Sequence, residues 1–196
     1  GREGSPRRPL TPYGIAKQAA DQFARLHREK YSQFVSVGIL YNHESPLRPA
    51  NYLSRRVAKS VAAIKKGLQK KLRLGDLQAQ RDWSDARDMV RGFWLALQAS
   101  QPGDFIFASG ASRTVREFVE TAFAAAGLRA EGHIETDSSL APAEVTVGLC
   151  GDSSRAERVL GWKRHWSFAD TVADMVLAEM NERPEIDRAN PDPTRC

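Results

Sequence analysis

Apolar residues recur along this chain at two spacings, and the alternation between them predicts helices and strands in turn. Ile15, Ala16, Ala19, Ala20, Phe23 and Leu26 fall at three- and four-residue steps, the mark of an amphipathic helix. Pro12 stands just before that run and is a suitable start signal; the helix is expected to end near Tyr31. Phe34 to Tyr41 is a short apolar stretch rich in β-branched residues and reads as a buried strand. A second helix is expected from a Ser54 cap through Lys66, with Val57, Val61, Ile64 and Leu68 on one face and Gly67 as its stop. Lys71 to Leu74 reads as a short strand. Ser84 is expected to cap a third helix whose inner face carries Met89, Val90, Phe93, Trp94 and Leu97. Pro102-Gly103 turns into a strand from Phe105 to Ala108. Thr114 and Glu117 form a capping box for a fourth helix, which Gly127 closes. Asp152 or Ser153 opens a short helix ending at Leu160-Gly161-Trp162. Ser167 with Asp170 starts the last one, with Phe168, Val172, Met175 and Val176 inside. No repeat is present. From Asn181 onward the chain is polar and proline-bearing and reads as a mobile tail.

Candidate chemistry sits at the first helix. Tyr13 and Lys17 are four residues apart and so share one helical face. A free tyrosine hydroxyl is a poor base at neutral pH, and a neighbouring ammonium favours its phenolate by charge. Such a pair can take a proton from a sugar hydroxyl while hydride leaves the same carbon, with further lysine donors for a ribose. On spacing alone a surface helix with a solvated cation is the preferred reading. The surroundings change that, because the next strand delivers Asn42-His43-Glu44-Ser45-Pro46 to its C-terminal end, where open α/β sheets bind ligands.

Four strings together carry a family resemblance: Tyr13 to Lys17; Gly38-Ile-Leu-Tyr-Asn-His-Glu-Ser-Pro46; Leu74-Gly-Asp-Leu-Gln-Ala-Gln-Arg-Asp-Trp83; and Thr114-Val-Arg-Glu-Phe-Val119. They resemble the GDP-mannose 4,6-dehydratases, a branch of the extended short-chain dehydrogenases/reductases, from about Pro9 to about Met180. The second and third strings are specific to that branch, whereas Tyr-x-x-x-Lys marks only the superfamily. The resemblance implies an α/β fold: an incomplete Rossmann-type doubly wound domain with an interleaved smaller α/β substrate-binding lobe. Residues 1–45 would belong to the NADP-binding domain and 46–182 to the substrate lobe, with Rossmann elements returning at about 84–110 and a polar tail at 183–196.

The same resemblance assigns roles. Tyr13 would be the catalytic base and Lys17 the cofactor ribose contact. His43 and Arg48 match positions that contact NADP, and an arginine fork suits a phosphate. Asn42, Asn51, Arg56, Arg81 and Glu144 match the sugar-nucleotide side. Arg56 stands where the family commonly has lysine, and Arg81 matches an arginine that meets the diphosphate; without the resemblance, Arg81 reads as a loop arginine pairing Asp82 or Asp85. Trp83 reads as core. Glu44 and Glu117 occupy other motif positions and are not candidates for the elimination base. The implied reaction oxidises C4 of GDP-mannose, eliminates water across C5 and C6, and returns the hydride to C6, with NADP recycled.

Two departures qualify this. Ala141 stands where the family has a diphosphate-facing arginine, a loss worth about 1.5–3 kcal/mol, which bears on which nucleotide sugar is bound. No strand–glycine–helix unit precedes Tyr13, and the upstream Thr and Glu expected for the elimination have no counterpart, so the chain reads as a fragment lacking about 100 residues or more of nucleotide-binding domain. Another nucleotide-sugar epimerase or reductase, or a non-catalytic remnant that binds sugar nucleotide or an intact subunit, stays open beside the dehydratase.

Composition adds bounds. With 196 residues, 41% hydrophobic, the chain has the makings of a substantial core. A net charge of +5 suits anionic ligands, and no aromatic-basic interleaving points to nucleic acid. Cys150 and Cys196 lack metal-ligand spacing and are not expected to pair. No run is long and apolar enough to span a membrane, and the polar N-terminus is not a signal peptide. A cytoplasmic location is therefore the expectation; a homo-oligomeric complete enzyme is what the resemblance implies.

Overall fold

The structure, a computed structural model, describes residues 1–140 and 150–181. Helices and short strands alternate, as the pattern predicts. Helix α1 (Pro12–Tyr31) leads into β1 (Val37–Leu40) and β2 (Asn42–Glu44). Then come α2 (Leu53–Lys65), β3 (Leu72–Leu74), β4 (Gln80–Asp85), α3 (Ala86–Gln98) and β5 (Asp104–Phe107). Strand β6 (Ser112–Thr114), α4 (Val115–Ala125), β7 (Ile134–Thr136), α5 (Ser154–Leu160) and α6 (Phe168–Asn181) complete the order. Strands β1 and β5 pair in parallel, as do β2 with β4 and β3 with β7. Strand β6 adds to β4 antiparallel. The α/β class with a parallel sheet is as expected.

Local signals explain most of the helix ends. Thr11 Oγ1 accepts from Gly14 N at 3.1 Å and Pro12 follows it, so α1 starts where its orphan donors are met. Thr114 and Glu117 cap α4 reciprocally. Gly161 ends α5 at φ 62°, in the left-handed region that glycine enters without strain. Ser167 and Asp170 bond each other's backbone N–H at the head of α6.

Two caps expected from the sequence are not formed. Tyr52, not Ser54, stands at the N-cap of α2 and makes no side-chain cap bond, while Ser54 is buried with its hydroxyl turned to Glu44. Asp85, not Ser84, caps α3, accepting from Arg87 N; Ser84 lies within β4. The inner face of α3 also differs: Asp88, Met89, Gly92 and Ala96 are buried, whereas Val90, Trp94 and Leu97 are exposed. Gly92 lies so near the Phe107 ring that a Cβ would come within 2.5 Å of it, which sets that side of the helix against the sheet. Leu68 is exposed as well, because α2 has ended before it.

Two apolar cores result. One gathers α2, α4 and α6 around Trp83, whose ring meets Phe118 at 5.0 Å and Phe168 at 6.0 Å. Trp83 is core, as expected. The other packs Met89, Phe105, Phe107 and Trp162. Asp82 lies buried beside Trp83 in β4 and accepts from three backbone groups: Ser109 N at 2.7 Å, Gly110 N at 3.1 Å and Gly151 N at 3.0 Å. This carboxylate ties the loop after β5, and the segment entering α5, to β4. Each buried donor left unmet costs about 1–3 kcal/mol. Asp82→Ala should therefore destabilise the fold by about 3 kcal/mol or more, read as a lower urea midpoint; an unchanged midpoint would show that water replaces the carboxylate.

Candidate active site

The first turns of α1 place Tyr13 and Lys17 on one face, with the Lys17 ammonium 5.5 Å from the Tyr13 ring centroid. That face opens on a cleft of about 770 Å³. Besides the pair, the cleft is lined by Arg7 and Arg8, the strand β1, and Tyr41, Asn42, His43, Arg48 and Arg81. Six residues singled out in the sequence therefore meet in one place: Tyr13, Lys17, Asn42, His43, Arg48 and Arg81. Asn51 and Arg56 are exposed and do not line the cleft. Glu144 and Ala141 lie outside the described residues, as do Cys196 and the tail from 182.

Strand β2 supplies the floor. Its register sets Asn42 beside Trp83 and His43 beside Ser84 of β4, so Arg81, two residues earlier in β4, reaches the same cleft. His43 Nδ1 lies 3.0 Å from the Tyr41 carbonyl. A carbonyl only accepts, so Nδ1 carries the proton and Nε2 is left to accept or receive one. Burial and the nearby Asp82 and Cys150 charges push the Tyr41 phenol up, which keeps it a donor.

Buried acids sit directly behind these groups. Glu44 is 2% exposed, accepts from Ser54 Oγ at 2.5 Å, and lies 3.3 Å from Arg48 Nε. Burial pushes its carboxyl above the ordinary value, and the Ser54 bond and the Arg48 charge offset this only in part. Asp85 behaves oppositely: burial would raise its carboxyl, but the Arg87 and Thr171 hydrogen bonds outweigh that and hold it below the ordinary value.

Arg7, Arg8 and Asp21 were not legible as site residues. Arg7 pairs with Asp21 one turn below Lys17, and Arg25 bonds the same carboxylate at 3.1 Å. Those contacts span eleven or more residues of sequence or lie within a charged helix face, and neither leaves a motif. A smaller hollow of about 480 Å³ at Arg116, Glu120, Arg129 and Glu131 is lined by charges of both signs and is apart from Tyr13 and Lys17.

Comparison with known proteins decides the family. The family described as GDP-mannose 4,6 dehydratase matches residues 1–175. The chain belongs to that family. It is 42% identical to GDP-mannose 4,6 dehydratase 1 of Arabidopsis thaliana, over 89% of this chain and 48% of the plant protein. It is 37% identical to the GDP-mannose 4,6 dehydratase of Homo sapiens, over 97% of this chain and 55% of the human protein. The chain thus spans about half the length of the curated relatives it matches. Among solved structures, RMD from Pseudomonas aeruginosa complexed with NADPH superposes with a TM-score of 0.82 at 22% identity, covering 92% of this chain and 59% of that one. The dTDP-glucose 4,6-dehydratase of Bacillus anthracis in complex with NAD gives 0.76 at 22% identity, covering 91% and 55%. At these identities the likeness shows the fold, a Rossmann-type α/β arrangement present in part.

The two buried acids give a pH test for this dehydratase-family chain. Asp85, with a depressed folded value, adds stability above its ordinary value that is lost as pH falls. Glu44, with a raised folded value, contributes most below its ordinary value of 4.5 and less as pH rises through the folded one. Urea unfolding from about pH 3 to about pH 7 should show the wild-type advantage over Asp85→Asn growing with pH, and that over Glu44→Gln shrinking. Parallel curves for the two variants would contradict the assigned environments.

Proposed function

We propose that this sequence forms the Tyr–Lys helix and sugar-nucleotide part of a GDP-mannose 4,6-dehydratase, an NADP-dependent lyase making GDP-4-keto-6-deoxy-mannose and water from GDP-mannose. The observation that carries this reading is the one cleft joining Tyr13 and Lys17 to Asn42, His43, Arg48 and Arg81. The residues fit an anionic dinucleotide. Arg48 presents its guanidinium to the cleft, Lys17 has donors for a ribose, and His43 Nε2 is left open by the Nδ1 bond. When bound, NADP supplies the acceptor and later the donor of the hydride.

The chain's own residues would serve the oxidation at C4 and hold the substrate. Tyr13 takes the proton of the C4 hydroxyl, with the Lys17 ammonium one turn away on the same face. A keto group at C4 then makes the C5 hydrogen acidic; water leaves across C5 and C6 once a base takes that proton, and the residues named here do not include that base. Arg81 holds the diphosphate and Asn42 the sugar nucleotide; Asn51, Arg56 and Glu144 are further proposed contacts to it, on the resemblance alone. Residues 1–45 and about 84–110 would belong to the cofactor domain and 46–182 to the substrate lobe. The complete enzyme would be a cytoplasmic homo-oligomer; no described helix is long and apolar enough to cross a membrane.

One observation favours a second reading. Helix α1 buries no residue, and Ile15, Phe23 and Leu26 are exposed along it. A chain so placed fits a remnant that binds weakly or joins an intact subunit. A further alternative concerns the ligand rather than the class: Ala141 in place of an arginine suits a different nucleotide sugar in the same superfamily.

Tyr13→Phe, in a complete enzyme carrying this sequence, should lower turnover by about a hundredfold or more, with GDP-mannose affinity near wild type. Product formation and calorimetric binding read the two separately. Wild-type turnover in Tyr13→Phe would remove Tyr13 from the mechanism, and turnover of UDP- or dTDP-sugars in preference to GDP-mannose would favour the alternative ligand.

A further inference from the structure

Arg48 enters the cleft from a loop, where a side chain of this length has much rotamer freedom to lose. Three contacts restrict it. Its guanidinium carbon lies 3.8 Å from the centroid of the Tyr52 ring, at cation–π distance. Its Nε, 3.3 Å from the Glu44 carboxylate, is enclosed without a hydrogen bond of its own. The loop beneath is held too: Arg55 donates to the carbonyls of Pro46 and Arg48 and pairs with Glu179 of α6. The flat face and the inner edge of the guanidinium are therefore occupied by protein. Its two terminal nitrogens make no hydrogen bond to the protein among the described residues, and Arg48 lines the cleft.

We propose that Glu44 and Tyr52 are positioning residues for Arg48, setting its terminal nitrogens as a fork for a phosphate of the dinucleotide. This rests on the reading of the cleft as an NADP site. Neither Glu44 nor Tyr52 lines the cleft, so each acts through Arg48. A preset fork keeps binding energy that a freely rotating arginine would lose to ordering. Burial places the Glu44 charge in an unfavourable setting, and a residue kept only for packing would be apolar there.

The test has a ligand-free arm and a binding arm, both on a complete enzyme carrying this sequence. Tyr52 is 45% exposed, so replacing it leaves the core intact. With arginine labelled in nitrogen-15, the Arg48 Nε–Hε signal is assigned through Arg48→Lys. Tyr52→Leu should shift that signal by removing the ring current and Glu44→Gln by removing the carboxylate, while Tyr52→Phe should leave it near its wild-type place. A signal indifferent to Tyr52→Leu and to Glu44→Gln overturns the proposal.

In the binding arm, Tyr52→Leu should weaken NADPH binding by about twofold to thirtyfold. Tyr52→Phe should restore it, and Tyr52→Leu should add nothing in an Arg48→Met background. A cost that persists in the Arg48→Met background shows a role in the scaffold and overturns the proposal. A wild-type complete enzyme that binds neither NADPH nor 2′,5′-ADP overturns the cofactor reading instead, and the spectroscopic arm then decides whether the arginine is aimed.

Discussion

The parallel register of β2 on β4 is the constraint on which the site depends. It sets Asn42 beside Trp83, and three successive residues of β4 then do three different things. Arg81 faces the cleft, Asp82 gathers three backbone donors from distant loops, and Trp83 fills the larger core. A slip of one residue would turn every side chain of the strand to the opposite face, taking the tryptophan out of the core and Arg81 away from the cleft. The burial of Trp83 against Phe118 and Phe168 therefore fixes where Arg81 stands, although the ring lies away from the cleft. Burial of this kind is non-directional, and the backbone hydrogen bonds to Asp82 supply the direction.

Signals contained within one turn of chain were legible in the sequence. The Thr114–Glu117 capping box, the glycine stop at Gly161 and the Tyr13–Lys17 face each rest on residues within four positions, and local geometry decides them. Ser54 and Ser84 were misread for the complementary reason. A serine before an apolar run fits a cap, but burial beside Glu44 gave the Ser54 hydroxyl a stronger partner ten residues back. Strands β6 and β7 are three residues long, too short to display a period. For α3, periodicity marked an apolar stripe at Val90, Trp94 and Leu97, yet it cannot say which elements are present to cover it.

The candidate site divides the same way. Asn42, His43 and Arg48 were found because their motif is contiguous, and Arg81 because its own string is. Glu44 lies inside the same motif as Asn42 and His43, but nothing in that motif says that it meets Arg48, and Tyr52 carries no signal, since its contact with Arg48 comes from a loop conformation. Arg7 meets Asp21 across the start of α1, and nothing in either residue's neighbours announces the pair. Residue types that touch a ligand are more legible than those that hold them in place.

Helix α1 presents the sharpest contrast between chemistry and anchoring. A helix in a globular protein draws most of its stability from burying an apolar face. This one carries Tyr13 and Lys17 and buries no residue. What attaches it to the sheet is charge: Arg25 and Arg28 both pair with Asp104 of β5, Arg28 at 2.9 Å, while Arg7 and Arg25 pair with Asp21 of the helix itself. Partly exposed pairs of this kind contribute about 0–1 kcal/mol each and weaken with salt. A chain of alternating charges can fix the azimuth of a helix, because each guanidinium must meet its own carboxylate, while contributing little to its depth of seating. Catalysis demands both, since a proton-transfer group displaced by about 1 Å loses much of its advantage. The ion pairs thus orient the Tyr13–Lys17 face toward the cleft, while Ile15, Phe23 and Leu26 stay exposed on the same helix.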